Sequence, residues 1–499
     1  MNSRNKKETV KGLLKPGNSL SERTIKGGLW IFSLRIVNRL FQLARTIVLA
    51  RLLSPNDFGL FGIALLALSA LDTFSQTGFS QALIQKKEDT KPYLNTAWTV
   101  GIIRSFLIAT ILFFVAPHAA TFFEAPLAEP ILKVIGLAVI LQSLTNIAVI
   151  YFEKELEFNK YFNYQFIGTI VDVTVAISIA FLLRSVWALV FGLLAGNFAR
   201  CIISYLIDPY RPTFYLDYSK AKELFKFGKW ILGTTILIFC VTQGDSIFVG
   251  KLLGVTMLGL YQVAYRISNM PATEVTHIIS QVTFPAYSKI QDNIPRLKEA
   301  YLKALKLTIF LSSFLAGLLF ILASDFIEVF FGEKWMPMIP AMQVLVLAGL
   351  LRSIAATAGS IFLAVGKPKI DAKLQIVRLI VMTTLIYPFT FKWGILGTSI
   401  VVFLSIFISN IGFIFNVIKI TNCGIKNFGK TLALPLMNGI IMVLFILFIK
   451  NNINTTGILG LFFLLGLSFL IYFVAAYFFE KYLNYRMLFF LKRFLFQKE

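Results

Sequence analysis

Basic residues recur along one face of a helix predicted near the start of the chain. Asn38, Arg39, Gln42 and Arg45 stand three, four, seven and ten residues after Arg35 inside an apolar run, and this spacing places their side chains on one helix face. Lipid does not tolerate such a stripe, so it must face a protein interior or a water-filled cavity. Guanidinium groups stay charged and bind oxyanions through two parallel hydrogen bonds. The stripe therefore predicts a cationic cavity that binds an anion, such as a phosphate or pyrophosphate.

Charged residues in other apolar runs extend this candidate site. Arg266 and Asn269 share a helix face in a later run, and Arg352 and Arg378 lie in two more. Most ionisable residues inside the runs are basic, with Arg35, Arg39, Arg45, Arg104, Arg200, Arg266, Arg352 and Arg378 against Asp72, Asp172, Asp245 and Glu274. Because four acids cannot neutralise eight arginines, we expect the substrate-binding cavity to carry a positive charge.

Other roles for these residues stay open from the sequence. Each arginine could pair with an acid and only staple helices together, as Arg104 and Arg200 could, and Arg45 could reach the membrane surface. Four titratable residues could couple transport to a Na⁺ or H⁺ gradient, namely Asp72, Asp245, Glu274 and His277. The sequence holds two histidines and three cysteines and shows no nucleophile motif, phosphate-binding loop or metal-ligand spacing. We therefore expect no enzyme, no metal and no cofactor.

Fourteen apolar runs of spanning length must position these side chains. The chain of 499 residues is 57% hydrophobic with a mean hydropathy of +0.75, which is more apolar surface than a soluble domain can bury. A bilayer crossing needs about 20 mostly apolar residues. Runs of that length fall at 24–51, 56–80, 93–117, 130–152, 161–183, 185–206, 227–250, 255–281, 301–323, 338–364, 370–390, 394–418, 430–449 and 456–479. The sequence thus predicts an all-α membrane protein with about fourteen transmembrane helices.

The distribution of Lys and Arg between the runs predicts the orientation. If the N-terminus is cytoplasmic, the cytoplasmic segments hold 32 Lys or Arg residues and the outer connections hold six. Cytoplasmic loops carry such an excess of positive charge, and a missed or extra helix would invert the bias downstream. We therefore expect a multi-pass protein of the cytoplasmic (inner) membrane with both termini in the cytoplasm, no nucleic-acid partner, and membrane lipid on its surface.

An internal repeat predicts the domain organisation. At an offset of 200 residues Gly28 and Trp30 align with Gly228 and Trp230, and Gly59 aligns with Gly259. At an offset of 210 the segment 130–143 resembles 340–353. A repeat of six helices keeps both copies in the same orientation. We expect an N-terminal segment 1–23, an N-lobe 24–206, a cytoplasmic loop 207–226, a C-lobe 227–418, two extra helices in 430–479 and a basic tail 480–499, with the lobes around a central cavity.

Four stretches resemble a known family. They are Leu49–Leu60 (LARLLSPNDFGL), Gly78–Gln85 (GFSQALIQ), Leu258–Arg266 (LGLYQVAYR) and Phe284–Gln291 (FPAYSKIQ). Together they resemble the Wzx-like branch of the multidrug/oligosaccharidyl-lipid/polysaccharide (MOP) exporter superfamily, with the WzxC-type lipopolysaccharide, O-antigen and teichuronic acid flippases. The resemblance covers about residues 20–420 and implies two six-helix bundles around a cavity. Arg266 is the one candidate residue inside a matching stretch.

The resemblance implies a monomeric flippase that moves a polyprenyl-diphosphate-linked oligosaccharide across the membrane by alternating access. A polysaccharide polymerase and glycosyltransferases of the same pathway are implied partners. An alternative is a cation-coupled multidrug (MATE-like) antiporter of the same fold, although a cationic drug requires carboxylates rather than surplus arginines in the cavity. A third reading is a membrane glycosyltransferase or polymerase. Such an enzyme needs an acidic catalytic group or a sizeable outer loop, and the outer connections here are short.

Overall fold

The computed structural model describes residues 37–79, 83, 90–155, 157–453 and 456–483. Throughout these ranges the regular secondary structure is helical, and no strand occurs in them. The chain forms two compact units. The first extends to Phe239 and includes Gly254–Thr256, and the second consists of Cys240–Leu253 and the chain from Met257 onward.

Seven long helices carry the described part of the first unit. They are α1 (residues 37–52), α2 (Pro55–Phe74), α3 (Lys91–Phe122), α4 (Ala128–Ser143), α5 (Phe158–Leu183), α6 (Trp187–Ile207) and α7 (Tyr218–Leu253), which continues into the second unit. The turn between α1 and α2 is set by local sequence, because Ser54 and Asp57 form a capping box around Pro55. Asp217 caps α7 by accepting the backbone N–H of Ser219 at 3.0 Å.

Six further long helices follow among the residues that the structure describes. They are α8 (Val255–Ile290), α9 (Ile294–Ile321), α10 (Ile339–Ala364), α11 (Pro368–Thr421), α12 (Ile425–Asn452) and α13 (Gly457–Leu483). Gly394 interrupts α11 with φ +58° and ψ −139°. Residues with a Cβ rarely adopt this backbone conformation. The glycine therefore allows the chain to bend between the predicted runs 370–390 and 394–418.

The apolar runs predicted from 56 onward lie on these helices. Within the described part of the chain ten helices are long and apolar enough to cross a membrane, and α11, with 54 residues, is one of them. The run 130–152 is less regular than expected, because α4 ends at Ser143 and a 3₁₀ turn and a short helix, Ile150–Lys154, follow. Residues 24–36 of the first run and 484–499 of the tail lie outside the described residues. The count of fourteen crossings stays a prediction.

The repeat is visible in side-chain burial and in hydrogen bonds. Residues 127–141 and 337–351 show the same succession of buried, half-buried and exposed positions at the predicted offset of 210. Ser105 on α3 lies 2.6 Å from Ser143 on α4, and Ser312 on α9 donates to Ser353 on α10 at 3.0 Å. The two units thus share a helix-pairing pattern. Superposition of the whole lobes 24–206 and 227–418 stays a prediction, and Trp30 lies outside the described residues.

The last two helices pack against α9 in the second unit. The buried hydroxyl of Tyr472 on α13 donates to the carbonyl of Phe310 at 2.6 Å and lies 2.9 Å from Ser313 Oγ. At the end of α12, Lys450 Nζ lies 2.5 Å from Asp325 Oδ2. In an apolar surrounding such polar contacts fix the relative position of helices that dispersion forces alone hold weakly.

Candidate functional site

Two of the predicted arginines lie together inside the second unit. Arg352 on α10 donates to Asn269 Oδ1 on α8, and its guanidinium carbon is 4.9 Å from the centre of the Tyr265 ring. Arg378 on α11 is close enough to Arg352 for their positive charges to repel each other. The tertiary structure therefore brings Asn269, Arg352 and Arg378 into one group, which we call the arginine cluster.

The acid of the arginine cluster is Asp245 on α7. Its side chain is buried, with 1% exposed, and accepts the Tyr261 hydroxyl at 2.8 Å and the backbone N–H of Ser246 at 2.7 Å. The positive charges of Arg352 and Arg378 both act on this carboxylate. Among the described residues of the cluster, two guanidinium groups thus face one carboxylate.

Unused hydrogen-bond donors remain in the arginine cluster. Nη2 of Arg352 and Nε of Arg378 are buried and have no hydrogen-bond partner in the described part of the chain. A buried charged donor without a partner is costly, and an oxyanion would satisfy it through short, charge-assisted hydrogen bonds. An anion with at least two acceptor oxygens would satisfy both donors.

The arginines of the first unit have a different environment. Arg45 on α1 forms an ion pair with Asp172 on α5 at 2.9 Å, with the two side chains 13% and 20% exposed. Gly192 and Gly196 on α6 admit this carboxylate between the helices, because a Cβ at either position would stand 2.8 Å from an Asp172 side-chain atom. Arg45 thus lies in the helix-stapling arrangement considered above.

Arg104 is held by residues of a neighbouring helix, and Arg200 by a residue one turn earlier on its own helix. Arg104 on α3 pairs with the carboxylate of Asp72 on α2 and donates to Ser75 Oγ at 3.0 Å. Arg200 on α6 donates to Asn197 Oδ1 at 2.9 Å. Asp72, a candidate for ion coupling, is therefore occupied by an arginine.

The remaining predicted site residues are placed as follows. Arg35 lies outside the described residues, and so does the side chain of His277. Gln42 is exposed and Arg39 half-buried on α1 of the first unit, while Arg266 is exposed and Glu274 half-buried on α8 of the second. Their meeting in one central cavity stays a prediction.

Sequence reasoning missed the aromatic and neutral polar residues that contact the arginine cluster or line a cavity of the first unit. Tyr261 and Tyr265, which contact Asp245 and Arg352, lie in a stretch noted only for its family resemblance. Their four-residue spacing on a polar helix face was the available signal. Trp98 and Gln142, which line a cavity of the first unit, carry no charge, so a search for ionisable residues passes over them.

Comparisons with known proteins agree with the helix arrangement. The model of a family described as "Polysaccharide biosynthesis protein" matches residues 48–340. The "Lipopolysaccharide biosynthesis protein WzxC" of Escherichia coli (strain K12) is 26% identical over 363 residues, covering 72% of this chain and 74% of that protein.

Two solved structures share the fold. The "Lipid II flippase MurJ, inward closed conformation" matches with a TM-score of 0.73 and 15% identity, covering 91% of this chain and 99% of that one. An inward-facing "multidrug resistance MATE family transporter of the MOP superfamily" matches with a TM-score of 0.63 and 16% identity, covering 79% and 98%. At this identity the likeness concerns the fold.

Proposed function

Because the chain belongs to the polysaccharide biosynthesis protein family, we propose that it is a membrane flippase rather than an enzyme and that it moves a polyprenyl-diphosphate-linked oligosaccharide across the cytoplasmic membrane. The relative WzxC is named for lipopolysaccharide biosynthesis, and MurJ, which shares the fold, is named a lipid II flippase. These names support a substrate that combines a lipid with a saccharide.

The arginine cluster is the observation that carries this proposal. A diphosphate entering an apolar interior loses its hydration, and the surplus charge of Arg352 and Arg378 offsets that loss. The free donors on Arg352 and Arg378 match the oxygens of a phosphate group. Each charge-assisted hydrogen bond contributes about 1.5–3 kcal/mol, which is sufficient to hold the head group transiently.

The proposed transport cycle is alternating access between two six-helix lobes. The lipid tail stays in the bilayer while the sugar–diphosphate head enters the central cavity predicted from the sequence, to which Arg35, Arg39 and Gln42 of the first predicted helix and Arg266, Asn269, Arg352 and Arg378 of the second unit contribute. A Na⁺ or H⁺ gradient acting on Asp245, Glu274 or His277 resets the cycle. The protein works as a monomer beside the polymerase and glycosyltransferases of its pathway.

The proposed topology has fourteen crossings with both termini in the cytoplasm. It places Lys86 and Lys220 inside and Glu124 and Lys450 outside. Single cysteines at these positions, labelled on intact cells with an impermeant maleimide, should react only at the second pair. Reaction at all four, or at the first pair alone, contradicts the topology.

A cation-coupled multidrug antiporter is the second candidate, because the MATE transporter shares the fold. A cationic drug is held by carboxylates that outnumber nearby cations. In the arginine cluster the balance is reversed, since within the described part of the chain one acid, Asp245, faces both Arg352 and Arg378. The charge of the cluster therefore favours the anionic lipid-linked substrate.

Export of polysaccharide by cells that depend on this chain tests the flippase proposal. Arg352→Ala or Arg378→Ala should lower export about tenfold or more, the equivalent of one lost charge-assisted hydrogen bond, with membrane abundance near wild type. Lysine at either position should restore export only in part, because a point charge cannot reproduce the guanidinium fork. Arg296→Ala, at an exposed position near the start of α9, is the matched control.

Two results contradict this role of the cluster. One is loss of abundance in parallel with loss of export. The other is recovery of export by the Arg378→Ala variant when Asp245→Asn is added, because that shows Arg378 to be only a counter-charge for Asp245.

The arginine stripe of the first predicted helix gives a separate prediction. Arg35→Ala and Arg39→Ala should abolish export while membrane abundance stays near wild type.

A further inference from the structure

The first unit contains a polar cavity that the transport proposal does not use. It has a volume of about 380 Å³ and is enclosed by the ends of α2 and α4, the middle of α3 and the start of α5. This is within the range of about 300–1,000 Å³ usual for small-ligand pockets. We call it the α3–α4 cavity.

One face of α3 forms a wall of the α3–α4 cavity. Trp98, Gly101, Arg104 and Ser105 line it at positions that share a helix face. A Cβ at Gly101 would meet no atom within 4 Å, so the wall is open at that point. From α4 and α5 the cavity is lined by the apolar Val139 and by four neutral side chains with a polar group, namely Gln142, Ser143, Tyr161 and Tyr164.

The charge of the α3–α4 cavity differs from that of the arginine cluster. Its arginine, Arg104, is paired with Asp72, so the pair presents both donors and acceptors without a net charge. At the offset of 210 residues that relates the two segments, Gln142 in the first unit aligns with Arg352 in the second. Among the described residues, the lining therefore suits a neutral ligand with many hydroxyl groups better than an anion.

Trp98 supplies an independent indication of a ligand. Its side chain is 7% exposed, and its indole Nε1 is buried without a hydrogen-bond partner among the described residues. A buried N–H donor without an acceptor destabilises a fold. In the wall of a polar cavity, this donor is available to a ligand oxygen.

The aromatic residues complete the match to a sugar. Tyr161 and Tyr164 lie with ring centres 6.3 Å apart and combine an apolar ring with a polar hydroxyl. Sugar rings offer the complementary surfaces, since their C–H groups pack on aromatic rings and their hydroxyls both donate and accept hydrogen bonds. The loops 81–92 and 153–160, predicted to be cytoplasmic, border the helices of this cavity in the sequence, which predicts that the cavity lies on the side from which the substrate arrives.

We propose that the α3–α4 cavity is a saccharide-binding subsite that receives neutral sugar units of the substrate head group. This inference rests on the proposed flippase function and adds to it a site that reads the sugar, separate from the arginines that hold phosphate. Trp98 supplies a hydrogen bond, the two tyrosines contact the sugar faces, and Gln142 lies in the lining beside them.

Protection of a cysteine in the cavity tests this subsite. Purified full-length Gln142→Cys protein in lipid nanodiscs is labelled with a maleimide, and wild-type labelling of the three native cysteines is subtracted. Two probes are compared. One is a lipid-free and phosphate-free oligosaccharide cut from the polysaccharide of the producing cell, and the other is inorganic pyrophosphate. The oligosaccharide should slow labelling of the Q142C thiol at least fivefold, and pyrophosphate should not slow it.

A pair of matched substitutions identifies the hydrogen bond. Trp98→Phe in the Q142C background should weaken protection by the oligosaccharide about fivefold, the effect of one neutral hydrogen bond. Trp187→Phe makes the same change at a tryptophan of the first unit that stacks on Phe191 and should leave protection unchanged. Calorimetric titration of the wild-type protein with the same oligosaccharide gives a second measurement that needs no cysteine, and heat of binding is expected.

Three results overturn the subsite: protection by pyrophosphate instead of oligosaccharide, no binding of oligosaccharide by labelling and calorimetry, or equal effects of the two tryptophan substitutions. Polysaccharide export separates this from failure of the flippase proposal. If the wild-type chain restores export to a deletion strain but the oligosaccharide does not bind, only the subsite is wrong. If deletion leaves export unchanged, the flippase proposal itself is wrong.

Discussion

Removal of the Asp172 carboxylate leaves Arg45 in an apolar helix interface without its counter-charge. The two groups are 2.9 Å apart and less than a quarter exposed, so water replaces the lost partner poorly. Arg200 also acts electrostatically on Asp172, so the Asp172→Ala variant leaves two arginines without this acid. The Arg45→Ala variant, in contrast, leaves Asp172 with Arg200.

The size of the effect follows from this asymmetry. Removing one partner of a buried ion pair costs about 3–5 kcal/mol, and we expect Asp172→Ala near the upper end of that range. Arg45→Ala should be milder, because the remaining carboxylate keeps one arginine nearby. The double variant should recover about 1 kcal/mol or more relative to the sum of the single changes, as expected for directly interacting residues.

Thermal inactivation of the purified variants in nanodiscs measures these differences, with membrane abundance and polysaccharide export measured in the same strains. Lys303→Ala is the control, since its ion pair with Glu299 is more than half exposed and such pairs contribute about 0–1 kcal/mol. Export should fall in proportion to abundance in each variant of the buried pair.

The opposite result assigns Arg45 to the substrate. The stapling argument is refuted if two results are found together. The Arg45→Ala variant is as stable and abundant as the wild type but does not export, and the double variant is no more stable than the sum of the two single changes predicts. Arg45 would then belong with Arg352 and Arg378 among the substrate-binding residues.

Three other changes test helix packing and capping. Gly59→Ala should lower stability by about 1–3 kcal/mol, because the added methyl group would stand 1.9 Å from the Val255 carbonyl oxygen. Gly233→Ala is the control in the same thermal assay and should not lower stability, since a Cβ at that position would meet no atom within 4 Å. Tyr472→Phe should cost about 1–3 kcal/mol and increase proteolysis after α12, since its hydroxyl donates to a carbonyl of α9 at 2.6 Å. Hydrogen bonds from Lys220, the third residue of α7, lower the pKa of the Asp217 carboxyl below its ordinary 3.8. The contribution of the Asp217 carboxylate to stability is therefore complete above pH 3.8 and is lost as the pH falls through the lowered pKa. The difference in stability between the wild type and the Asp217→Asn variant should shrink over that range.

Local sequence was sufficient for the helices and for much of their pairing. The limits of the apolar runs coincide with those of the helices to within several residues in most cases, because the length of a crossing and the apolar character of its residues are properties of one segment. Gly394 marks the bend in α11 for a similar reason, since its φ of +58° is a local requirement. The offset of 210 between the segments 130–143 and 340–353 also predicted their shared burial pattern.

The partners of the charged residues were decided by tertiary structure. Helical periodicity establishes that Arg35, Arg39 and Arg45 share a face, but it does not show which helix lies opposite that face. The structure places Asp172 opposite Arg45, whereas, among the described residues, the charges of Arg352 and Arg378 both act on Asp245. Surplus charge is a property of residues from several helices that meet in space. The sequence is therefore sufficient to count the arginines that lie in apolar runs, but the packing of α7, α8, α10 and α11 is needed to bring two of them to one acid.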